Sequence, residues 1–550
     1  MNNRVFVIGL DGADWNVLDQ FIDRGLMPNL LRLVENGVKG KLRSTIPPMT
    51  PQAWVSFMTG VNPGKHGVFG FSSTSVKNPY LGNHLNRYSL KSPTLWKYLS
   101  EFGLKSIVIN VPVTYPPEKI DGILISGMFS PISDPNFIFP KEISQELKNI
   151  GIDYQIDIKS HFNPKLRRDA EYINELIKNS ADDLLEELFN MTNSRMKTIN
   201  FLIKKDWSLF TVVFVGFDRI QHFLWNYLMK DSSDDNPIGE KISEFYTYVD
   251  TCIGKLIASV GEDVNLVLVS DHGFGKFHGD FFLNKWLLDN DFLSKSQGLN
   301  RQNIFRSIKK ISTRLGLNSF IMNRKVSHDN LRKLTLSSHD IDWGRTKAFH
   351  YQANGIRINL KGREPLGFVE PSDYEIVRSQ IIQKLSGLTD GWGKKIIEKI
   401  FRKEDIYSGR ESENAPDLVI KFRDDRLYAA YSKEINIDTL FKKNNWKQGD
   451  HTLNGICLFH GNGLQQGQIV ENCEILDIMP TILYMMGQTI PDHVDGRVLS
   501  DIFIDDHLKI NKVKYSTMDK HRLMEKEEIE YSKEDEEIIN ERLRGLGYID

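Results

Sequence analysis

The chain is poor in cysteine, and it has neither a long hydrophobic run nor a strong charge of one sign. Its 550 residues include 3 cysteines (Cys252, Cys457 and Cys473), which argues against a disulfide framework or a cysteine metal knuckle. No apolar run reaches about 18 residues, and the first one ends at Asp11, so we predict neither a membrane span nor a signal peptide. The formal net charge of -2 gives no electrostatic basis for a nucleic-acid-binding module. We therefore expect a cytoplasmic globular protein.

Motifs of several other catalytic classes are also absent. The run 60–66 is one residue short of a P-loop, and it has His where Ser or Thr would bind magnesium. The chain has no Cys-x-Pro-x-Arg, from which sulfatases form their formylglycine nucleophile, and no G-x-S-x-G elbow. These absences argue against P-loop enzymes, formylglycine sulfatases and α/β-hydrolases.

Short runs rich in Val and Ile recur along the chain, and each ends near Gly, Asp or Asn. The clearest are residues 5–11, 106–112, 122–127, 210–218 and 264–271. Continuous apolar runs are typical of parallel strands buried on both faces, and helical patterns separate them here. The alternation predicts an α/β fold with a doubly wound, mostly parallel sheet flanked by helices.

We predict one catalytic domain over residues 1–510 and a charged tail over 511–550. Helical patterns at about 141–205 and about 285–340 interrupt the strand rhythm, and we interpret both as helical cap insertions. The tail carries 11 acidic and 8 basic side chains, and its last apolar residues have helical spacing. It is predicted to end in a docked helix. The sequence does not decide between docking within the chain and a homodimer contact.

Seven side chains of metal-ligand type follow predicted strands or lie at strand-to-helix turns. They are Asp11, Thr50, Asp218, His222, Asp271, His272 and His451. In doubly wound sheets, ligands gather at the carboxyl ends of the strands. Two adjacent divalent ions need about six or seven carboxylate and imidazole ligands between them. The set therefore predicts the two-metal centre of a phosphoryl or sulfuryl hydrolase.

Each member of this set also has an ordinary structural explanation. Thr50 before Pro51 is typical of a helix N-cap, a strand-ending Asp is often a cap, and His451 can be a loop residue. Thr50 can have both roles, because the positive end of the helix dipole favours an alkoxide nucleophile. The conjunction of all seven at strand ends is what favours a single site.

As a set, the motifs resemble those of the alkaline phosphatase superfamily, in its type I phosphodiesterase and nucleotide pyrophosphatase branch. That branch includes predicted phosphohydrolase/phosphomutase members. The matching runs are T-x9-G-x3-G-x-H-G at 50–67, D-x3-H at 218–222, S-D-H-G at 270–273, G-x-H at 449–451 and RLRGLGYI in the tail. The resemblance implies an alkaline-phosphatase-like sheet and a metal-dependent phosphoric ester hydrolase.

The resemblance also implies roles for the seven residues. One ion would be held by Asp218, His222 and His451, and the other by Asp11, Asp271, His272 and the Thr50 oxygen. The mixed nitrogen and oxygen ligands favour Zn²⁺ and also admit Mn²⁺. Thr50 would attack phosphorus to form a phosphothreonine intermediate, which a metal-activated water would then cleave.

One departure from the family concerns the phosphoryl-oxygen donor. Nucleotide pyrophosphatases have an Asn a few residues after the His-Gly pair, whereas this chain continues with residues 68–71, VFGF. Substitute donors are the backbone near Thr50, or the side chains of Lys65, Asn110 and His278. Each side chain also has an ordinary explanation: a solvated loop, a strand terminator and a helix cap. The preference for diesters stays open.

Two other functions remain compatible with the sequence. A phosphomutase or phosphoester transferase on the same fold would differ only in the acceptor of the phosphoryl group. A non-catalytic, metal-stabilised binding module would not need the retained Thr50.

Overall fold

The computed structural model describes most of the chain. The described residues are 4–73, 83–131, 135–158, 170–229, 236–296, 341–390, 393–425, 427–429, 439–443, 447–518, 523–524, 531–546 and 548. Most of the helical insertion predicted at about 285–340 therefore lies outside the described residues.

A nine-stranded sheet is the centre of the described structure. Its strands, in order across the sheet, are Gln468–Glu474, Val38–Arg43, Asn454–His460, Asn265–Val269, Val5–Leu10, Leu209–Phe214, Ser106–Ile109, Gly122–Ile125 and Ile138–Phe139. The pairings are parallel except for those of Asn454–His460 and Ile138–Phe139. The middle strands are buried along their whole length, as their continuous apolar sequences predict. The predicted mostly parallel α/β sheet is confirmed.

Helices pack on this sheet and share its hydrophobic core. The main ones are Trp15–Asp23, Pro28–Asn36, Thr50–Thr59, Leu95–Glu101, Lys141–Asn149, Ala170–Leu202, Gly216–Leu228, Pro237–Val260 and Ile478–Met485. The helix Pro237–Val260 shows the usual cause, because its buried apolar residues recur every three or four positions. Its buried Asp250 accepts hydrogen bonds from the backbone of Asn29 and Leu30, at 3.1 and 2.8 Å, and so caps a neighbouring helix.

A second, smaller sheet has its own hydrophobic core. Its strands, in order, are Ala348–His350, Gly355–Ile358, Leu418–Phe422 and Ile397–Arg402, all antiparallel. The helices Leu283–Asp289 and Tyr374–Ser386 contribute to that core. The buried Asp417 stabilises this part of the chain, since it accepts from both Arg363 (2.6 Å) and Tyr374 (2.6 Å).

The tail contains the helix Lys533–Gly545, whose Ile539 and Leu543 are buried in the main core. The predicted domain boundaries stay predictions, although two long helices fall within about 141–205 and one within the tail. Among the described residues, no helix has both the length and the apolar character needed to cross a membrane.

Candidate metal centre and active site

The sheet topology brings the predicted acids to one edge. Asp11 directly follows the central strand Val5–Leu10, and the parallel neighbours of that strand lead to Asp218 on one side and Asp271 on the other. All three carboxylates are fully buried. Because the carboxyl ends of parallel strands meet at the same edge, acids far apart in sequence lie together.

Thr50 lies beside this edge, at the start of a buried helix. It is the first residue of the helix Thr50–Thr59, so Met49 and not Thr50 holds the N-cap position. The hydroxyl oxygen of Thr50 lies 3.1 Å from His272 Nε2. It is also at the positive end of the helix dipole, where an alkoxide is stabilised.

A pair of short antiparallel strands brings the last histidine to the site. The strand Gly449–Thr452 pairs with Gly273–Lys276, so that His451 lies opposite Phe274. The rings of His451 and His272 stack with centroids 3.5 Å apart. This strand pair thereby joins the late His451 to the central strands.

The first ligand group consists of Asp218, His222 and His451. The two Nε2 atoms are 3.0 Å apart, and Asp218 Oδ2 lies 3.3 Å from one and 3.4 Å from the other. The Nδ1 atoms of His222 and His451 bond the carbonyls of Gly449 (3.0 Å) and Pro48 (2.9 Å). Since a neutral ring carries one hydrogen, and here it lies on Nδ1, both Nε2 atoms present lone pairs. Three acceptors without a shared hydrogen suit a cation.

The second ligand group is built around His272. Its Nε2 lies 3.1 Å from Asp271 Oδ2, 3.7 Å from Asp11 Oδ1 and 3.1 Å from the Thr50 hydroxyl. Its Nδ1 bonds the carbonyl of Gly273 at 3.1 Å, so Nε2 again presents a lone pair.

In each of the three carboxylates, one oxygen accepts hydrogen bonds, and we call it the outer oxygen. The other, the inner oxygen, faces the other ligands. The inner oxygens, Asp11 Oδ1, Asp218 Oδ2 and Asp271 Oδ2, have no hydrogen-bond partner among the described residues. The outer oxygens accept hydrogen bonds, for example from the backbone of Gly12 to Asp271 at 3.2 Å. Buried polar atoms are normally paired, so three unpaired oxygens facing neutral imidazoles fit divalent cations.

The electrostatics of the buried cluster agree with this fit. Burial raises the pKa of Asp11 and Asp271 well above the usual value, and repulsion between neighbouring carboxylates adds to the effect. Burial opposes ionisation of Asp218 too, but the adjacent Arg219 guanidinium holds its pKa well below the usual value. Burial lowers the pKa of His222 and His272, which keeps both rings neutral and able to bind a metal.

The structure also shows polar neighbours that the sequence motifs did not single out. A carboxylate oxygen of Asp450 lies within 4.8 Å of ring nitrogens of His222 and His451, and Asp450 forms an ion pair with Lys447 at 2.8 Å. Asp218 accepts hydrogen bonds from Arg219 and from the Tyr548 hydroxyl. Available signals were the adjacency of Asp450 to His451 and of Arg219 to Asp218.

A cleft opens over the metal centre. It is lined by Pro47, Pro48, Met49, Phe71, Asn354, Asp425, Leu427, Tyr428, Lys447, Asp450, His451 and Tyr548. Both the loop before Thr50 and segments next to the smaller sheet contribute to it. Burial raises the pKa of Asp425 to about 6, so the charge of the cleft lining changes near neutral pH. A substrate in the cleft would lie directly against the metal centre.

The three predicted substrate-binding side chains lie away from the lining of this cleft in the described part of the chain. Lys65 pairs with Asp495 and donates to the carbonyl of His493 at 2.9 Å. The buried Asn110 donates to Ile156 (3.1 Å) and accepts from Arg195 (3.2 Å) once its amide is oriented to satisfy both. His278 is exposed, in the turn before Gly279–Phe281. Their role in substrate binding stays a prediction.

Comparisons with known proteins were made for sequence and structure. The family model described as type I phosphodiesterase / nucleotide pyrophosphatase matches residues 5–454. No curated protein sequence matches the chain. Similar solved structures include an inactive murine ectonucleotide pyrophosphatase / phosphodiesterase 5 in complex with AMP, with 14% identity, 91% of this chain and 100% of that chain covered, and a TM-score of 0.49. The human ectonucleotide pyrophosphatase / phosphodiesterase 5 has 13% identity, 91% and 99% coverage, and a TM-score of 0.48.

The family match includes every one of the seven predicted ligand positions. It extends over most of the chain, from the first central strand to the short strand that carries the last histidine. The chain therefore belongs to the type I phosphodiesterase/nucleotide pyrophosphatase family, whose members hydrolyse phosphoesters.

Proposed function

We propose that this protein is a two-metal hydrolase of phosphate esters that uses Thr50 as its nucleophile. One observation carries the proposal: three unpaired carboxylate oxygens and three imidazole Nε2 atoms converge beside the Thr50 hydroxyl, under an open cleft. Because these carboxylate oxygens and imidazole nitrogens are all acceptors, they cannot hydrogen-bond one another. The set therefore fits divalent cations.

Each of the two ligand groups would hold one ion. One ion would be held by Asp218, His222 and His451, and the other by Asp11, Asp271, His272 and Thr50. When bound, such ions supply Lewis-acid neutralisation of charge on phosphoryl oxygens. Zn²⁺ is the proposed metal because three of the seven ligands are imidazoles (His222, His272 and His451), and Mn²⁺ is the second choice.

The protein's own contribution to the reaction centres on Thr50. Its hydroxyl loses a proton to solvent, and the oxygen forms a bond to phosphorus while the bond from phosphorus to the leaving oxygen breaks. The leaving oxygen takes up a proton. A water molecule then gives up a proton and forms a bond to phosphorus while the Thr50–phosphorus bond breaks. The Thr50 oxygen takes up a proton, which restores the hydroxyl. The helix dipole favours the anionic form of Thr50 in both steps.

The surrounding residues hold this chemistry in place. Backbone carbonyls of Gly449, Pro48 and Gly273 fix the three histidine rings so that each Nε2 faces the acids. Burial excludes bulk water and so strengthens interactions with developing charge. The diester preference of the family is proposed for this chain, as are the cytoplasmic location and a homodimer.

The first prediction concerns Thr50→Ala. We expect hydrolysis of bis-p-nitrophenyl phosphate to fall by about a thousandfold or more, because the nucleophile is lost. The metal content should stay near that of the wild type, since the aspartates and histidines remain. The measurement combines steady-state rates with elemental analysis of the same preparations.

The matched control is Thr59→Ala at the other end of the same helix. The Thr59 hydroxyl donates only to the carbonyl of Val55, at 2.6 Å, so its loss should leave the rate nearly unchanged. Full activity of Thr50→Ala would show that Thr50 is not the nucleophile. A preference for p-nitrophenyl phosphate would indicate a phosphatase or mutase, and turnover of neither substrate by the zinc-loaded wild type would indicate a transferase.

A further inference from the structure

The tail of the chain reaches into the metal centre. The side chain of Tyr548 is 9% exposed, and its hydroxyl donates to Asp218 Oδ1 at 2.8 Å. The same hydroxyl accepts from Arg219 Nη1 at 2.7 Å. The tyrosine thus contacts the outer oxygen of a predicted metal ligand.

The tail is fixed at several points before it reaches the site. The Tyr531 hydroxyl lies 2.9 Å from the carbonyls of both Leu85 and Phe129, and its ring stacks on Tyr115. Ile539 and Leu543 are buried in the main core. Because these contacts anchor the helix Lys533–Gly545, Tyr548 is delivered to a defined place.

Packing also holds the ring of Tyr548 next to the first ligand group. The ring stacks on Phe71 with centroids 4.5 Å apart. It lies edge-on to His222, with a centroid distance of 5.6 Å and an interplanar angle of 80°. Rotation of the hydroxyl away from Asp218 would therefore require the ring to leave this packing.

The two oxygens of Asp218 lie in different environments. Oδ1 is held by Tyr548 and Arg219, whereas Oδ2 faces the Nε2 atoms of His222 and His451. Arg219 is itself fixed by two hydrogen bonds to Asp157, at 3.0 and 2.6 Å. A neutral hydroxyl can orient the carboxylate without adding a second positive charge that would compete with a cation.

We propose that Tyr548 is a positioning residue for one metal ion. Its hydroxyl orients the Asp218 carboxylate so that Oδ2 points to His222 and His451. The tail therefore contributes to metal binding at the site. This inference rests on the proposed function, because it assumes that these three residues bind a metal.

The test compares zinc binding by metal-free wild type, Tyr548→Phe and Tyr531→Phe, measured by competition with a chromophoric chelator. Tyr548→Phe removes one oxygen and keeps the stacking on Phe71, so the variant should fold, which circular dichroism checks. We expect one of its two zinc sites to weaken by about 10- to 100-fold, the usual effect of losing an outer hydrogen bond to a ligand. Asp218→Asn identifies the site, because it should weaken the same one.

Tyr531→Phe is the matched control, since it removes from the same tail a hydroxyl that bonds the carbonyls of Leu85 and Phe129 and not Asp218. Its two zinc affinities should equal those of the wild type. Equal weakening in both tyrosine variants would overturn the inference, because tail docking in general would then be the cause. The inference would also be overturned if both zinc sites of Tyr548→Phe bound zinc with the affinities of the wild type. A wild type that binds no zinc would overturn the proposed function itself.

Discussion

Each of the three histidines in the centre uses one ring nitrogen to bond a backbone carbonyl and presents the other to the acids. The carbonyls belong to Gly449, Pro48 and Gly273. Ring orientation is therefore set by the fold before any ion binds, which reduces the reorganisation needed for binding. The sequence could identify the histidines as ligand types. It could not assign their tautomers, because two of the three carbonyls come from segments distant in sequence.

The charge of Asp425 should make substrate binding depend on pH. Burial raises the pKa of this cleft residue to about 6, so it is neutral below that pH and anionic above it. An anion in the cleft repels a phosphate ester, and an interaction of about 1 kcal/mol would raise KM about fivefold. We expect KM for bis-p-nitrophenyl phosphate to rise between pH 5 and 7 in the wild type.

Asp425→Asn should remove this rise, because the amide has the shape of the acid but does not ionise. The measurement is KM as a function of pH for both proteins, with kcat recorded in the same series. An identical rise in the two proteins would show that another group causes it.

His66 should make the stability of the fold depend on pH. It is fully buried; its Nδ1 accepts from the backbone of Val68 (3.2 Å) and its Nε2 lies 3.0 Å from the Ser56 hydroxyl. Burial lowers its pKa to about 3, so the folded state disfavours the charged ring. The unfolded chain binds a proton below its pKa of about 6.5. Stability is therefore lost as the pH falls from about 6.5 towards 3, by up to about 1.4 kcal/mol per pH unit.

His66→Gln should show a shallower loss of stability than the wild type between pH 7 and 5. Other buried histidines titrate in both proteins, so the informative quantity is the difference between the two slopes in urea unfolding. Parallel slopes would mean that His66 is not held in its neutral form.

At the scale of elements, the central strands were predictable, and the strand pair that carries His451 was not. Val5–Leu10 and Asn265–Val269 are continuous apolar runs, which indicate buried parallel strands whatever their partners are. In that pair, the strand Gly273–Lys276 has two glycines and a lysine in four residues, and its partner Gly449–Thr452 is polar. Neither has a strand signal of its own, because their pairing depends on distant contacts.

The strand pair of Gly273–Lys276 and Gly449–Thr452 depends on a glycine at position 273. A Cβ atom there would lie 2.1 Å from the carbonyl oxygen of Asn454 and 2.4 Å from Asp14 Oδ2. Gly273→Ala should therefore displace the backbone next to His272, at a cost of about 1–3 kcal/mol. We expect weaker zinc binding and a lower urea midpoint, measured by chelator competition and unfolding.

Gly275→Ala on the same strand is the control for this prediction. The added Cβ would approach only a methyl group of Thr452, at 2.9 Å, and that side chain can move. Its zinc binding should match the wild type. Equal metal affinity in both glycine variants would contradict the role of this strand pair in placing His272.

At the scale of the whole molecule, the ligand set was predictable because one rule of sheet topology connects its members. Parallel strands place their carboxyl ends together, so Asp11, Asp218 and Asp271 converge although more than two hundred residues separate the first two. The smaller sheet and the position of Tyr548 could not be derived in this way. The runs 355–360 and 417–422 do indicate strands, but nothing local assigns them to a separate sheet.

Metal removal should destabilise the molecule as a whole. Without cations the three buried carboxylates repel one another, and an ion that binds only the folded state stabilises it by about 2.7 kcal/mol at a concentration a hundredfold above its Kd. A chelator should lower the thermal midpoint, and added zinc should restore it. Asp218→Asn should show a smaller shift. A midpoint that is the same with and without chelator would contradict the fit of the site to metal ions.

The most direct test of the central claim is an anomalous difference map from crystals of the protein soaked with zinc, collected at the zinc absorption edge. The account predicts two peaks under the cleft, one among Asp218, His222 and His451 and one among Asp11, Asp271, His272 and Thr50. No peak at either position, or zinc bound only elsewhere on the molecule, would contradict it.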